Sequence, residues 1–323
     1  MTVIRPSRSE FHALAGGHTV VPVWKEILAD LTTPLAHFTR LVGDAPGFLF
    51  ESVERERWSR FSFVGRDPIA TIVARNGVLH VDGPLPDSVP RDRGILAAVE
   101  ALLQHYRSPD LPDLPPLHGG LVGYLGFDVV REVERLPNVP IDDAGHPDAV
   151  VSIIGSLVAF DHWRQRVTLV DNVVVPTGAS PDVLDGLYDA AVRRVEAMAA
   201  EGAAPVSEPV FDPPDPEDAL PEVRRSVDEA TWAAAVAAAK EHIVEGDIFQ
   251  VVLSMRFDFD LGAEPLDVYR ALRQVNPSPY MYFVRHPEIT LIGSSPEPMV
   301  QLLQGRVISR PIAGTRRRGR SEV

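Results

Sequence analysis

Six prolines lie between Pro205 and Pro221, among acidic residues, and they constrain the fold of this chain more than any other feature. Proline fixes φ and removes a backbone donor, so a segment this rich in proline favours an extended connector over a packed element. We therefore predict a domain boundary, with an N-terminal domain over residues 1–205, a linker over 206–221 and a second domain over 222–323.

Composition excludes several classes of protein. A net charge of −14 argues against general nucleic-acid binding, which requires neutralisation of phosphates. The absence of cysteine removes disulfides, thiolate metal sites and cysteine nucleophiles. No apolar run is long enough to span a membrane, and the first residues do not resemble a secretory signal. We expect a cytoplasmic protein without membrane or nucleic-acid partners.

Hairpin signals dominate the N-terminal part. Asn76-Gly77 accepts the two positive φ values of a type I′ turn and predicts a hairpin over 71–81. A longer hairpin is predicted from strands over 151–160 and 166–175. Because consecutive hairpins alternate with separate helices, the sequence favours an α+β fold over a parallel doubly wound sheet.

Helix start and stop signals are clear at four places. They predict helices over 33–43, 180–202, 226–246 and 266–275. Ser226 and Glu229 have the spacing of a capping box at the start of the third helix. After that helix, residues 247–254 are predicted to form a strand.

Gln250 is the polar residue of interest in that strand. Alternation places it on one face with Ile248 and Val252, among apolar neighbours. A buried glutamine must be hydrogen-bonded or cost about 1–3 kcal/mol. Gln250 therefore either satisfies the sheet or lines a polar site.

Two further segments could form a binding site. The apolar strand that ends in Glu51 and Ser52 offers a carboxylate and a hydroxyl at one edge. Prolines stiffen residues 276–283, where Tyr280 and Met281 could form a flat, polarizable wall for an aromatic ligand. A plain strand end and a core strand are the simpler interpretations.

The segment 311–315, Pro-Ile-Ala-Gly-Thr, is a small-residue turn. Gly314 permits close approach to the backbone, and Thr315 adds a hydroxyl beside exposed amides. Together with 48–52, 245–254, 276–283 and 294–300, this segment resembles anthranilate synthase component I, a chorismate-utilising enzyme, over essentially the whole chain. The resemblance implies antiparallel sheets packed face to face, with helices outside.

The resemblance also implies an activity and a regulation. Chorismate and ammonia would give anthranilate and pyruvate, the first step of tryptophan biosynthesis, with L-tryptophan as feedback inhibitor. Mg²⁺ would be the cofactor, and a glutamine amidotransferase subunit, component II, would supply the ammonia. The residues implied in tryptophan binding are Glu51 and Ser52 at the α-amino group, Pro279, Tyr280 and Met281 at the indole, and Arg60 nearby.

Four residues would determine the chemistry of the chorismate site. Gly314 and Thr315 would bind a chorismate carboxylate. Gln250, assigned with Thr315 to catalysis, stands where water-adding relatives have a lysine base, and Ala313 stands where aminodeoxychorismate synthases tend to have lysine. Both favour anthranilate formation, although aminodeoxychorismate synthase component I remains an alternative.

In the family, the magnesium ligands and other catalytic groups follow the segment at 311–315. We therefore expect the 222–323 domain to be incomplete, the chain to be truncated at the C-terminus and its turnover to be lost. A non-catalytic tryptophan-binding module is the remaining alternative.

Overall fold

The computed structural model describes residues 3–317 except 29–30, 54–59, 206–209, 211, 216, 218, 304, 313 and 315–316. The helices are α1 Arg8–Ala15, α2 Pro34–Leu41, α3 Gly94–His105, α4 Pro181–Gly202, α5 Glu229–Glu245 and α6 Pro265–Val275. The strands of the first half are β1 Val20–Leu28, β2 Gly47–Glu51, β3 Phe61–Arg66, β4 Thr71–Arg75, β5 Val78–Asp82, β6 Leu121–Leu125, β7 Ala149–Ile153, β8 Ser156–Asp161 and β9 Arg166–Val174. The later strands are β10 Arg224–Arg225, β11 Phe257–Asp258, β12 Tyr280–His286, β13 Ile289–Ser295, β14 Gln301–Leu303 and β15 Arg306–Ile308. None of the helices in this described part is both long and apolar enough to cross a membrane.

A seven-stranded antiparallel sheet forms the centre of the molecule, in the order β1-β9-β8-β3-β2-β12-β13. Its last two strands come from beyond the proline-rich segment and extend the sheet that the N-terminal strands begin. The domain boundary at 206–221 stays a prediction, and the main sheet includes strands from both sides of it.

A second antiparallel sheet has the order β5-β4-β7-β6. Its hairpin β4–β5 confirms the predicted type I′ turn, with φ of 50° at Asn76 and 75° at Gly77. Val122 of this sheet packs with Trp24, Phe48 and Leu157 of the main sheet. The α+β fold with sheets packed face to face is therefore confirmed.

The predicted strand over 151–160 is wrong, because two strands share this stretch. Residues up to Ile153 belong to β7 in the second sheet, whereas β8 begins at Ser156 and pairs with β9 in the main sheet. Gly155 permits the crossing, since a Cβ atom there would lie 1.9 Å from the Asp67 carbonyl oxygen. The chain changes sheets at a glycine that the hydrophobic pattern does not reveal.

Helices α2, α4 and α6 contact one face of the main sheet. Three of their buried side chains, Phe38, Val195 and Tyr269, join Leu49 and Phe283 of the sheet in one apolar cluster. The helix signals at Thr33-Pro34 and Ser180-Pro181 are confirmed, since both hydroxyls cap their helices and both prolines occupy the first turn. These helices fix the positions of β2 and β12, which carry the candidate site.

Two predictions around α5 are wrong. Asp228 caps the helix by accepting from the Thr231 amide at 2.7 Å, whereas the Ser226 hydroxyl accepts from the Arg256 amide beside β11. Gly246 does end the helix in a left-handed conformation, as predicted. Residues 247–254 form no strand, because no other described segment pairs with them and a strand needs such a neighbour.

Candidate functional site

The pairing of β2 with β12 builds the candidate site. Glu51 lies opposite Met281, and Phe50 lies opposite Tyr282. Just beyond the ladder, the Val53 amide donates to the Ser278 carbonyl oxygen at 3.1 Å. Two segments that are more than two hundred positions apart in the sequence thus form one seam.

A cleft of about 730 Å³ opens beside this seam, within the size range of ligand sites. Its border includes five of the predicted residues: Glu51, Ser52, Pro279, Tyr280 and Met281. Its aromatic side chains are Phe50, Phe61, Phe63, Tyr124, Tyr280 and Tyr282. An apolar, aromatic cleft of this kind suits a planar ligand. Tyr124 comes from β6 of the second sheet and was not predicted, because no local sequence signal marks it as a site residue.

The two faces of the seam differ in chemistry. Side chains alternate across a strand, so Phe50 and Tyr282 face the cleft while Glu51 and Met281 face the helix layer. Met281 is 1% exposed and packs in the cluster that contains Tyr269. Glu51 and Met281 therefore border the cleft from within the sheet, with their side chains committed to the core beneath it.

Two residues of α6 hold the Glu51 carboxylate. The Tyr269 hydroxyl donates to Oε2 at 2.8 Å, and Arg273 Nη2 donates to Oε1 at 3.3 Å. Arg273 Nε lies 3.0 Å from Oε2 as an ion pair whose N–H is not aligned for a hydrogen bond. Burial, together with the Glu51 charge, raises the pKa of Tyr269 far above its ordinary value, so the phenol stays protonated as a donor.

Ser52 provides an unused polar group. Ser52 borders the cleft, and its Oγ atom is buried without a hydrogen-bond partner among the described residues. A buried hydroxyl left unpaired costs about 1–3 kcal/mol. A ligand that supplied a partner would recover that cost.

The structure does not bring Arg60 to the border of the cleft. Its guanidinium is held by Asp161, with Nη2 donating to Oδ2 at 2.6 Å, and it lies 4.6 Å from the centre of the Phe61 ring. The hydrogen bond that Arg60 donates to Asp161 raises the pKa of Arg60. Any contribution of Arg60 to binding stays a prediction.

The described part of the structure does not bring the predicted chorismate residues together into one site. Gln250 is exposed in an irregular segment, so its expected burial among apolar neighbours is wrong, for the same reason that the strand is absent. Gly314 is described and exposed, whereas Ala313 and Thr315 lie outside the described residues. Ile312 is anchored, since its amide donates to Glu297 Oε1 at 2.8 Å.

The described residues offer one three-residue group that could hold a metal, formed by His242, Glu245 and Asp247. All three are exposed, and His242 Nδ1 lies 2.8 Å from Asp247 Oδ2. Mg²⁺ prefers an octahedral set of oxygen ligands, which an imidazole and a carboxylate already paired with it do not supply. These residues do not fit magnesium, and the cofactor stays a prediction.

The family model for chorismate binding enzyme matches residues 45–323, and the chain belongs to that family. Among its members, the chain is similar to anthranilate synthase component 1 of Mycolicibacterium smegmatis, with 40% identity over 98% of this chain and 61% of that protein. The corresponding protein of Thermus thermophilus is 38% identical over 93% of this chain and 61% of its own length. The crystal structure of anthranilate synthase component I from Streptococcus pneumoniae shares the fold, with a TM-score of 0.63, 27% identity and coverage of 87% of this chain and 59% of that one. The chain thus spans about 61% of the length of these curated relatives.

Proposed function

We propose that this chain is the chorismate-using component of an anthranilate synthase. Ammonia adds at C2 of chorismate, the C4 hydroxyl leaves as water, and elimination of pyruvate yields anthranilate. A glutamine amidotransferase partner supplies the ammonia, and Mg²⁺ is the cofactor of the reaction. The names of the similar proteins and the family match over 45–323 support this assignment.

Two residue types support ammonia as the nucleophile. Glutamine at position 250 has no basic group that could deprotonate water, and alanine at 313 has no amine that could attack the ring. Gly314 and Thr315 bind a carboxylate of chorismate in this proposal. Anthranilate is fluorescent, so a chorismate assay with ammonium and Mg²⁺ distinguishes it from an aminodeoxychorismate product.

The cleft at the β2–β12 seam binds L-tryptophan as an end-product effector in this proposal. The observation that carries it is the convergence of Ser52, Tyr280 and Pro279 on one aromatic cleft from opposite ends of the chain. The apolar cleft accepts the indole, and the unpaired Ser52 hydroxyl and nearby backbone carbonyls meet the polar end of the ligand. Occupation of the seam would lock the two segments together, which suits a two-state inhibitory switch.

Titration calorimetry with L-tryptophan tests this effector site. We expect binding by the wild-type chain, and loss of about tenfold or more in affinity for Ser52→Ala and for Tyr280→Ala, because both residues border the cleft. Ser88→Ala is the matched control, because Ser88 is exposed and lies away from the cleft. Equal affinity in wild type and Ser52→Ala would contradict the assignment of this cleft.

A tryptophan-binding module without catalysis is the second candidate. It is favoured by the contrast between the cleft that the described residues form at the seam and the exposed position of Gln250. Tryptophan binding without any product from chorismate would support this module, whereas anthranilate formation that tryptophan inhibits would support the synthase.

A further inference from the structure

We infer that Tyr269 and Arg273 of α6 are positioning residues for the cleft, acting through the buried carboxylate of Glu51. This inference rests on the proposed effector function of the cleft. Glu51 is 6% exposed, and a buried carboxylate is costly unless charged or polar donors hold it. Both of its described side-chain partners come from this one helix.

A closed circuit of contacts joins the helix to the seam. The side chain of Glu51 is bonded to α6, and its backbone lies opposite Met281 in β12. Helix α6 ends at Val275, and only residues 276–279 separate it from β12. Any shift of β2 relative to β12 must therefore stretch either the Glu51 contacts or this short connection.

The short connection is itself fixed. The Ser294 hydroxyl lies 2.6 Å from the Asn276 carbonyl oxygen and 2.7 Å from the Ser278 hydroxyl. Ser278 is buried, and its carbonyl oxygen accepts the Val53 amide. The circuit thus holds Ser52, between Glu51 and Val53, at the border of the cleft.

The donors are matched to a positioning role. Tyr269 is fully buried and packs edge-on against Phe283, with ring centres 5.9 Å apart, so its hydroxyl has a fixed direction. Arg273 is partly exposed, and its planar guanidinium presents several N–H donors in a fixed geometry. Neither side chain borders the cleft, so an effect of either on ligand affinity must pass through Glu51.

Tryptophan titrations of Tyr269→Phe and Arg273→Met test the inference. We expect each variant to bind about tenfold or more weakly, because each leaves the buried carboxylate short of a donor. Gln274→Met is the matched control, since Gln274 belongs to the same helix and is exposed; its affinity should stay within about twofold. In a Glu51→Gln background, Arg273→Met should cost little further affinity, since the two residues act as one unit.

The outcomes separate this inference from the proposed function. If the wild type binds tryptophan and both variants bind equally well, the positioning role is overturned and the effector site stands. If the wild type releases no heat, the effector function fails, and hydrogen exchange in the unliganded chain decides the positioning role. Arg273→Met should then speed exchange of the amides of Val53, Tyr280 and Met281 while leaving those of β8 and β9 unchanged. Unchanged exchange at Val53 would overturn the positioning role.

Discussion

Gly293 lies directly opposite Tyr282 in the β12–β13 ladder, and the tyrosine side chain crosses over it. A Cβ atom on Gly293 would lie 2.0 Å from Tyr282 Cζ and 2.2 Å from its hydroxyl oxygen. The absence of a side chain at 293 therefore sets the position of an aromatic ring that borders the cleft. The wall of the cleft depends on a residue that does not itself line it.

Gly293→Ala should consequently displace the Tyr282 ring. We expect a loss of about 1 kcal/mol in the free energy of unfolding, at the low end for overpacked sites because the Tyr282 ring is 37% exposed and can move aside, together with weaker tryptophan binding. Urea denaturation and calorimetry measure the two effects. Gly17→Ala is the control, because a Cβ there meets no atom within 4 Å, and a similar loss in both variants would contradict the steric explanation.

His37 should make stability depend on pH. Its ring is 2% exposed, and burial, with the charge of Arg40 adding to it, lowers the pKa of His37 to about 4. Thr32 Oγ1 lies 3.1 Å from Nδ1, and the ring packs edge-on against Phe160. The neutral ring is thus the form that the fold accepts.

The sign of the pH effect follows from the lowered pKa. Between about pH 6.5 and 4 the unfolded chain binds the proton and the folded chain does not, so stability is fully present above 6.5 and falls as pH falls. We expect the His37 contribution to decrease by about 2 kcal/mol between pH 7.5 and 5. Urea unfolding of wild type and His37→Gln at both values measures it, and equal pH dependence in the two proteins would refute the assignment.

Arg194 should stabilise the main sheet through Asp171. This carboxylate is 3% exposed, and the guanidinium donates to its two oxygens at 2.7 and 2.8 Å. Arg194→Met leaves a buried charge with the Ser156 hydroxyl as its remaining described side-chain partner. We expect a loss of about 2–4 kcal/mol in unfolding free energy, because a buried charge without its partner is strongly unfavourable.

Arg193→Met provides the comparison, since Arg193 is exposed on the same helix. Its unfolding free energy should change by less than about 0.5 kcal/mol. Thermal and urea unfolding of the two variants in parallel measure these changes. Similar losses of unfolding free energy in Arg194→Met and Arg193→Met would contradict the role assigned to Arg194.

Local signals predicted four of the six α-helices in the described residues, whereas α1 and α3 were not predicted. Thr33-Pro34 and Ser180-Pro181 each combine a capping hydroxyl with a proline in the first turn. In each capping hydrogen bond the amide donor lies only three residues after the hydroxyl acceptor. The strand predicted over 247–254 failed because apolar alternation does not supply a hydrogen-bonding neighbour. The single strand predicted over 151–160 failed for a similar reason, since the change of sheet at Gly155 depends on a close contact with the distant Asp67.

In the candidate site, too, some residues were predicted from the sequence and others were not. The resemblance selected Glu51, Ser52, Tyr280 and Met281, and the described fold brings these four to one cleft. It did not select Tyr269 or Arg273. Their spacing of four places both on one face of α6, but nothing nearby in the sequence names the carboxylate that they hold.

The sequence by itself determined the local elements of this protein: the capped helices, the Asn76-Gly77 turn and the residue types in segments similar to anthranilate synthase component I. Only the tertiary structure decided that β12 pairs with β2, that Glu51 turns toward α6 and that Gly293 makes room for Tyr282. Helix caps and turns form between neighbouring residues, so short stretches of sequence contain the interactions that stabilise them. The Glu51–Arg273 ion pair and the β2–β12 seam depend on partners more than two hundred positions apart, and packing of the whole chain selects them.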